Sequence, residues 1–174
     1  MGSLIGSRVA LVLGGLHIGP SNPALGLDFP VAVPGNPAFG LDFPVASCKS
    51  WNGTVVAIDG VDTAKASMQG VVTKPDIQEY CQRDPGGETR ESGGRLTKAQ
   101  CVDNYVREVG RPELAAEANC RMGAISFRYA GKQPVRTRFP MSADADTSCA
   151  SGMPPLVSQF RMLCPAAANR MKIE

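Results

Sequence analysis

Six cysteines, at positions 48, 81, 101, 120, 149 and 164, constrain this chain more than any other feature. No zinc ligand set is formed among them, and an even count spread over a short chain reads as a disulfide framework. About 15 pairings are open to six cysteines and sequence does not choose among them; the set expected here has three bridges. Cys81–Cys101 would pin two helices together. Cys149–Cys164 would close a local loop before and along a C-terminal helix. Cys48–Cys120 would tie the first strand to the entrance of a β-hairpin. Free buried thiols and catalytic thiols are the competing readings of the same residues.

Composition explains why such bridges matter. Hydrophobic residues make up 43% of the chain but aromatic residues only 6%, with a single tryptophan, Trp51. A small aliphatic core is expected, and each covalent staple adds roughly 2–4 kcal/mol to a core of that kind. The formal net charge of +2 is too small to imply nucleic-acid or membrane binding by itself.

The N-terminal 26 residues read as a signal peptide. Arg8 supplies a slight positive charge, and Val9–Ile18 forms an apolar run too short to span a bilayer. Ala24-Leu25-Gly26 places small residues before a cut that would leave Leu27 at the N-terminus. The one histidine of the chain, His17, falls inside this segment. Its removal leaves no histidine for Ser-His-Asp or Cys-His catalysis or for a histidine metal site. Export and the cysteine count agree on a periplasmic or secreted location.

An internal repeat follows. NPALGLDFPVA at Asn22–Ala32 returns as NPAFGLDFPVA at Asn36–Ala46, with Leu25 exchanged for Phe39. Two copies are too few for a solenoid. Proline density predicts an extended tether over residues 27–47. A single globular domain is expected over residues 48–165, and residues 166–174 read as a frayed tail.

The best-specified local signals lie between Thr73 and Cys120. Thr97 and Gln100 form a T-x-x-Q capping box ahead of an apolar stripe at Val102, Tyr105, Val106 and Val109, and Gly110 with Pro112 ends it. An earlier helix begins around Pro75, with Asp76 and Glu79 near its positive end, and must stop at Asp84 before Pro85-Gly86-Gly87. The polar, glycine-bearing segment between the helices reads as an exposed excursion. Trp51–Ile58 reads as a turn and strand, Met68–Val72 as a second strand, and Glu113–Ala118 as an added helical turn. From Ile125 the period changes to two. Ile125, Phe127 and Tyr129, then Val135, Thr137 and Phe139, outline a β-hairpin. Pro154-Pro155 opens a short helix with Leu156, Val157, Phe160 and Leu163 inward. The fold class expected is α+β: a small disulfide-stabilised domain with a helical hairpin packed on a short antiparallel sheet, plus a short C-terminal helix.

The segments EYCQRDPGG, GGRLTKAQCV and ANCRMG, within Thr73–Gly123, resemble small exported bacterial proteins of uncharacterised function. That resemblance implies export and transfers no catalytic residue.

One surface stands out. The polar face of the hairpin gathers Arg128, Arg136 and Arg138, with Lys132 at the tip, and arginine's planar fork suits phosphate and carboxylate. A solvated strand face is the competing reading. No aromatics interleave with these cations, which argues against a single-stranded nucleic-acid platform. Asn52-Gly53-Thr54 is a glycosylation sequon. Asp144 and Asp146 form a D-x-D pair without the glycine and distal glutamate of an EF-hand loop.

Three functions are compatible with this inventory. The first is an exported, non-enzymatic binding or structural module acting on an envelope or extracellular protein. The second is a polyanion-binding protein using the basic hairpin. The third is a carboxylate-dependent cell-envelope hydrolase drawing on Asp59, Asp62, Glu79, Asp84, Asp103 or Glu108, though no spacing marks a catalytic pair. No cofactor, metal or catalytic residue is assigned.

Overall fold

The computed structural model describes residues 40–46, 51–109, 112–129 and 132–173, apart from the side chain at position 149. Six strands run in chain order through one antiparallel sheet: β1 (Asp42–Ala46), β2 (Trp51–Asp59), β3 (Ala66–Val71), β4 (Glu113–Asn119), β5 (Ala124–Tyr129) and β6 (Val135–Arg138). Helices α1 (Lys74–Arg83) and α2 (Lys98–Val109) lie between β3 and β4, and α3 (Met153–Leu163) and α4 (Pro165–Met171) follow the sheet. The protein is α+β, with disulfides holding helix to helix and sheet to helix.

The strands alternate burial with a period of two, as a sheet covered on one face requires. In β3, Ala66, Met68 and Gly70 point inward, and in β4 so do Leu114, Ala116 and Ala118. Helix α3 covers this inner face with Leu156, Gln159, Phe160 and Leu163, a stripe at i, i+3, i+4 and i+7. Phe43 and Phe127 meet across the sheet at 5.8 Å between ring centroids, and Phe139 meets Phe160 at 4.8 Å. Phe43 fits because Gly70 lies beneath it: a Cβ there would collide with the Phe43 ring.

The sheet starts at Asp42, earlier than the start near Cys48 that the sequence suggested, so the second copy of the repeat contributes an edge strand. Pro44 is tolerated there because an edge strand needs no ladder N–H on its outer side. Its carbonyl accepts a 2.6 Å hydrogen bond from Gln159 Nε2, while the buried Gln159 Oε1 has no partner among the described residues.

Two further expectations are corrected and a third is refined. Glu113–Ala118 is strand rather than a helical turn: β4 is paired on both sides, by β3 and β5, and that ladder outweighs the helix preference of its alanines. Residues 165–171 form α4 with Ala167 and Ala168 buried, where a frayed tail was expected. The segment after α1 is largely exposed, as expected, and is also organised. Asp84 caps α1 in the left-handed conformation, and its carboxylate accepts from Glu88 N (2.8 Å), Thr89 N (3.0 Å) and Thr89 Oγ1 (2.6 Å).

The helix starts match the sequence reading closely. Thr73 and Asp76 form a reciprocal capping box at α1, and Thr97 with Gln100 does the same at α2. Trp51, Tyr80 and Tyr105 form a three-ring cluster, with centroids 4.6–5.2 Å apart, that joins the hairpin to β2. Tyr105 Oη donates to Glu88 Oε1 at 2.9 Å. Burial, together with these hydrogen bonds, raises the Tyr105 phenol well above its ordinary value.

Cys81–Cys101 is bonded as expected, pinning α1 to α2. The second described bridge is Cys120–Cys164. It rules out both other predicted pairings, since Cys120 cannot also hold Cys48, nor Cys164 hold Cys149. The reason is topological: strand order places the β4–β5 turn beside the end of α3, where Cys120 N–H also bonds Thr63 O. Cys48 and the Cys149 side chain lie outside the described residues, as does the expected signal segment.

Candidate functional site: the open face of the sheet

Antiparallel pairing puts residues 124, 126 and 128 of β5 on the same face as residues 136 and 138 of β6. The register is Ala124 opposite Arg138 and Ser126 opposite Arg136. Arg128, Arg136 and Arg138 therefore do share the outer face, all exposed. Arg128 sits opposite Ala115 of β4. Lys132 stands apart in the β5–β6 turn, its N–H donating to Tyr129 O, and it lines neither of the two troughs described next.

Two troughs run over this face. The first, about 660 Å³, is lined by Ser67, Glu117, Ala124 and Ser126, with Lys65, Arg136 and Arg138 around them. The second, about 520 Å³, runs over β2–β4 and reaches Arg128. Their walls come only from strands and from the turn before β3. The floor is shallow in side chain where Ser67, Ala115, Ala124 and Ser126 line it, so backbone there is within reach of anything laid on the face.

The charge on the face is graded. Arg128, Arg136 and Arg138 crowd the β5–β6 side, while Glu113 and Glu117 lie outward on β4. Glu117 is two strands from Arg136, through Ser126. Glu117 is also diagonal to Arg128 across the β4–β5 pair and lines both troughs, so it offsets part of the arginine potential, while the excess charge on the face stays positive. No ion pair engages Arg128, Arg136, Arg138 or Lys65 among the described residues. The aromatics of the hairpin, Phe127 and Tyr129, alternate onto the opposite face, and burial raises the Tyr129 phenol.

Lys65 and the two glutamates were not singled out by sequence. Glu113 and Glu117 carry a period-two signal with Ala115, legible once β4 is read as a strand. Lys65 carries no local signal, since only the sheet order brings the turn before β3 near β6.

The acids proposed for hydrolysis are dispersed. Asp84 is fixed by Thr89 and Glu88, and Thr89's hydroxyl above all lowers its pKa to about 2. Asp62 Oδ1 accepts from Ala166 N at the start of α4, and Glu79 pairs with Arg83 at 3.3 Å along α1. Asp103 and Glu108 lie on α2, and Asp59 ends β2. Asp146 of the D-x-D pair accepts from Ser148 N, and its pKa, like that of Asp144, is lowered by a nearby serine hydroxyl. No group of three or more potential ligands for a metal occurs among the described residues. Asn52 of the sequon sits inside β2, with Nδ2 donating to Asp42 Oδ2 at 3.1 Å. No helix among the described residues is long and apolar enough to cross a membrane.

No family model, curated protein or solved structure matches this chain.

Proposed function

We propose that the protein is an exported, non-enzymatic binding module that holds a polyanion on the open face of its sheet, across β4, β5 and β6. One observation carries this reading. Three arginines occupy an exposed strand face, beside a floor that includes alanine and serine, with no carboxylate bonded to any of them among the described residues. Arginine placed this way offers forked donors to phosphate, sulfate or carboxylate groups, and the small floor lets a flat or extended ligand approach. Two disulfides support a location in an oxidising compartment. The arginine spacing favours repeated charges over a single small anion, since the three side chains are spread over two strands.

The test is retention on immobilised heparin as a function of salt. The wild-type chain should elute above the salt at which Arg136→Ala/Arg138→Ala elutes, and Lys132→Ala should elute with the wild type. Equal elution of the double variant and the wild type would remove the face as the binding surface.

A further inference from the structure

We propose that the slot along the edge of β2, now filled by Gly40–Ala46, has a second occupant in the same chain: Gly26–Ala32. The two segments are identical residue for residue, GLDFPVA in each case, and the repeat's one difference, Leu25 against Phe39, falls just outside them. Every contact that seats the strand is made by a residue present in both.

Gly40 adopts a left-handed φ of +87°, which favours glycine, and its N–H donates to Val55 O at 3.1 Å. Leu41 O accepts from Val55 N at 2.8 Å, and Asp42 accepts from Asn52. Phe43 is fully buried over Gly70, and Pro44 O accepts from Gln159 Nε2. Leu27, Asp28, Phe29 and Pro30 supply the same groups in the same order, and Gly26 does so in the full chain, before the cut that would leave Leu27 at the N-terminus. The slot therefore has no side-chain means of telling the copies apart.

Only the connection to β2 differs. The near copy reaches Trp51 through residues 47–50 and the far copy through residues 33–50. Loop-closure entropy over that change in length favours the near copy by about tenfold. The far copy remains tethered to the slot at an effective concentration on the order of millimolar, far above that of a second molecule in dilute solution. The occupant that competes is thus the chain's own first copy. The edge of β2 is a docking groove for an Asp-Phe-Pro-Val strand, and the chain carries a spare.

The experiment is urea unfolding of the full chain at several protein concentrations, followed by Trp51 fluorescence. Phe29→Ala should leave the unfolding constant nearly unchanged. Phe43→Ala should raise it only about tenfold, the cost of moving to the longer loop. Phe29→Ala/Phe43→Ala should raise it by several hundredfold or more, as a buried Phe→Ala does without replacement. A double variant no worse than Phe43→Ala overturns the proposal, and so does a Phe43→Ala chain that fails to fold. A Phe43→Ala chain whose midpoint rises with concentration, with dimers by light scattering, also overturns it, because the slot is then filled from another molecule.

Discussion

Asp84 shows how one side chain can turn a glycine-rich connection into a fixed part of the fold. Its own backbone ends α1, and its carboxylate collects three donors from the next turn, one of them the hydroxyl of the fully buried Thr89. The Thr89 hydroxyl does most to hold the Asp84 pKa down at about 2, from an ordinary 3.8, partly offset by burial and helped by the Glu88 and Thr89 N–H groups. A carboxylate with a depressed folded-state pKa stabilises the fold above its unfolded pKa and loses that contribution as protons bind. The contribution is therefore complete above about pH 4 and disappears as pH falls toward 2. Asp84→Asn should be less stable than the wild type at neutral pH, with the gap closing between those limits. Urea midpoints measured from pH 7 down to pH 2 check this, and a gap that stays constant through acid would mean the carboxylate charge contributes nothing.

At the scale of the element, caps were legible and strands rich in alanine were not. Thr97-x-x-Gln100 is a local device closed within one turn of helix, so sequence spacing alone locates it, whereas Thr73-x-x-Asp76, the same device, reads in sequence only as an acid near the helix start. The Thr73 box has a further role, because Thr54 Oγ1 on β2 donates to Asp76 at 2.9 Å and joins the helix start to the sheet. Thr73→Ala should destabilise the protein by about 1 kcal/mol, readable as a lower urea midpoint with an unchanged slope. Residues 113–119 went the other way. Glu-Leu-Ala-Ala-Glu-Ala-Asn has good helix formers, yet its Leu114, Ala116 and Ala118 also alternate with Glu113, Ala115 and Glu117. Two neighbouring ladders decide between those patterns, and ladders are partners distant in sequence. The arginine face was readable because both of its strands belong to one hairpin with a short turn. Lys65 was not, because it reaches that face only through the order of four strands.

At the scale of the molecule, the two described disulfides fasten different layers. Cys81–Cys101 closes a separation of 20 residues within the helical hairpin. Cys120–Cys164 closes a separation of 44 and fastens the β4–β5 turn to the end of α3, so it joins the sheet to the helix that covers it. Both pairs are buried, at 2% exposure or less for each cysteine. The pairing that sequence could not choose follows from this layering, since a staple between layers links residues that only the folded sheet brings together. In the chain-entropy account the shorter loop contributes about 3 kcal/mol and the longer about 4 kcal/mol. Replacing Cys120 and Cys164 together by alanine should therefore lower stability more than replacing Cys81 and Cys101. The two variants should also differ in kind. Without Cys81–Cys101 the Trp51, Tyr80 and Tyr105 cluster loses the covalent link behind it while α3 stays fastened to the sheet. Without Cys120–Cys164, α3 and α4 lose their covalent link to the β4–β5 turn. Amide exchange should consequently rise first in α1 and α2 for the former variant and in α3 and α4 for the latter. Non-reducing peptide mapping of the native chain provides the reference, with linked peptides containing Cys81 and Cys101, and Cys120 and Cys164. Recovery of Cys120 joined to any other cysteine would undo this assignment of layers to staples.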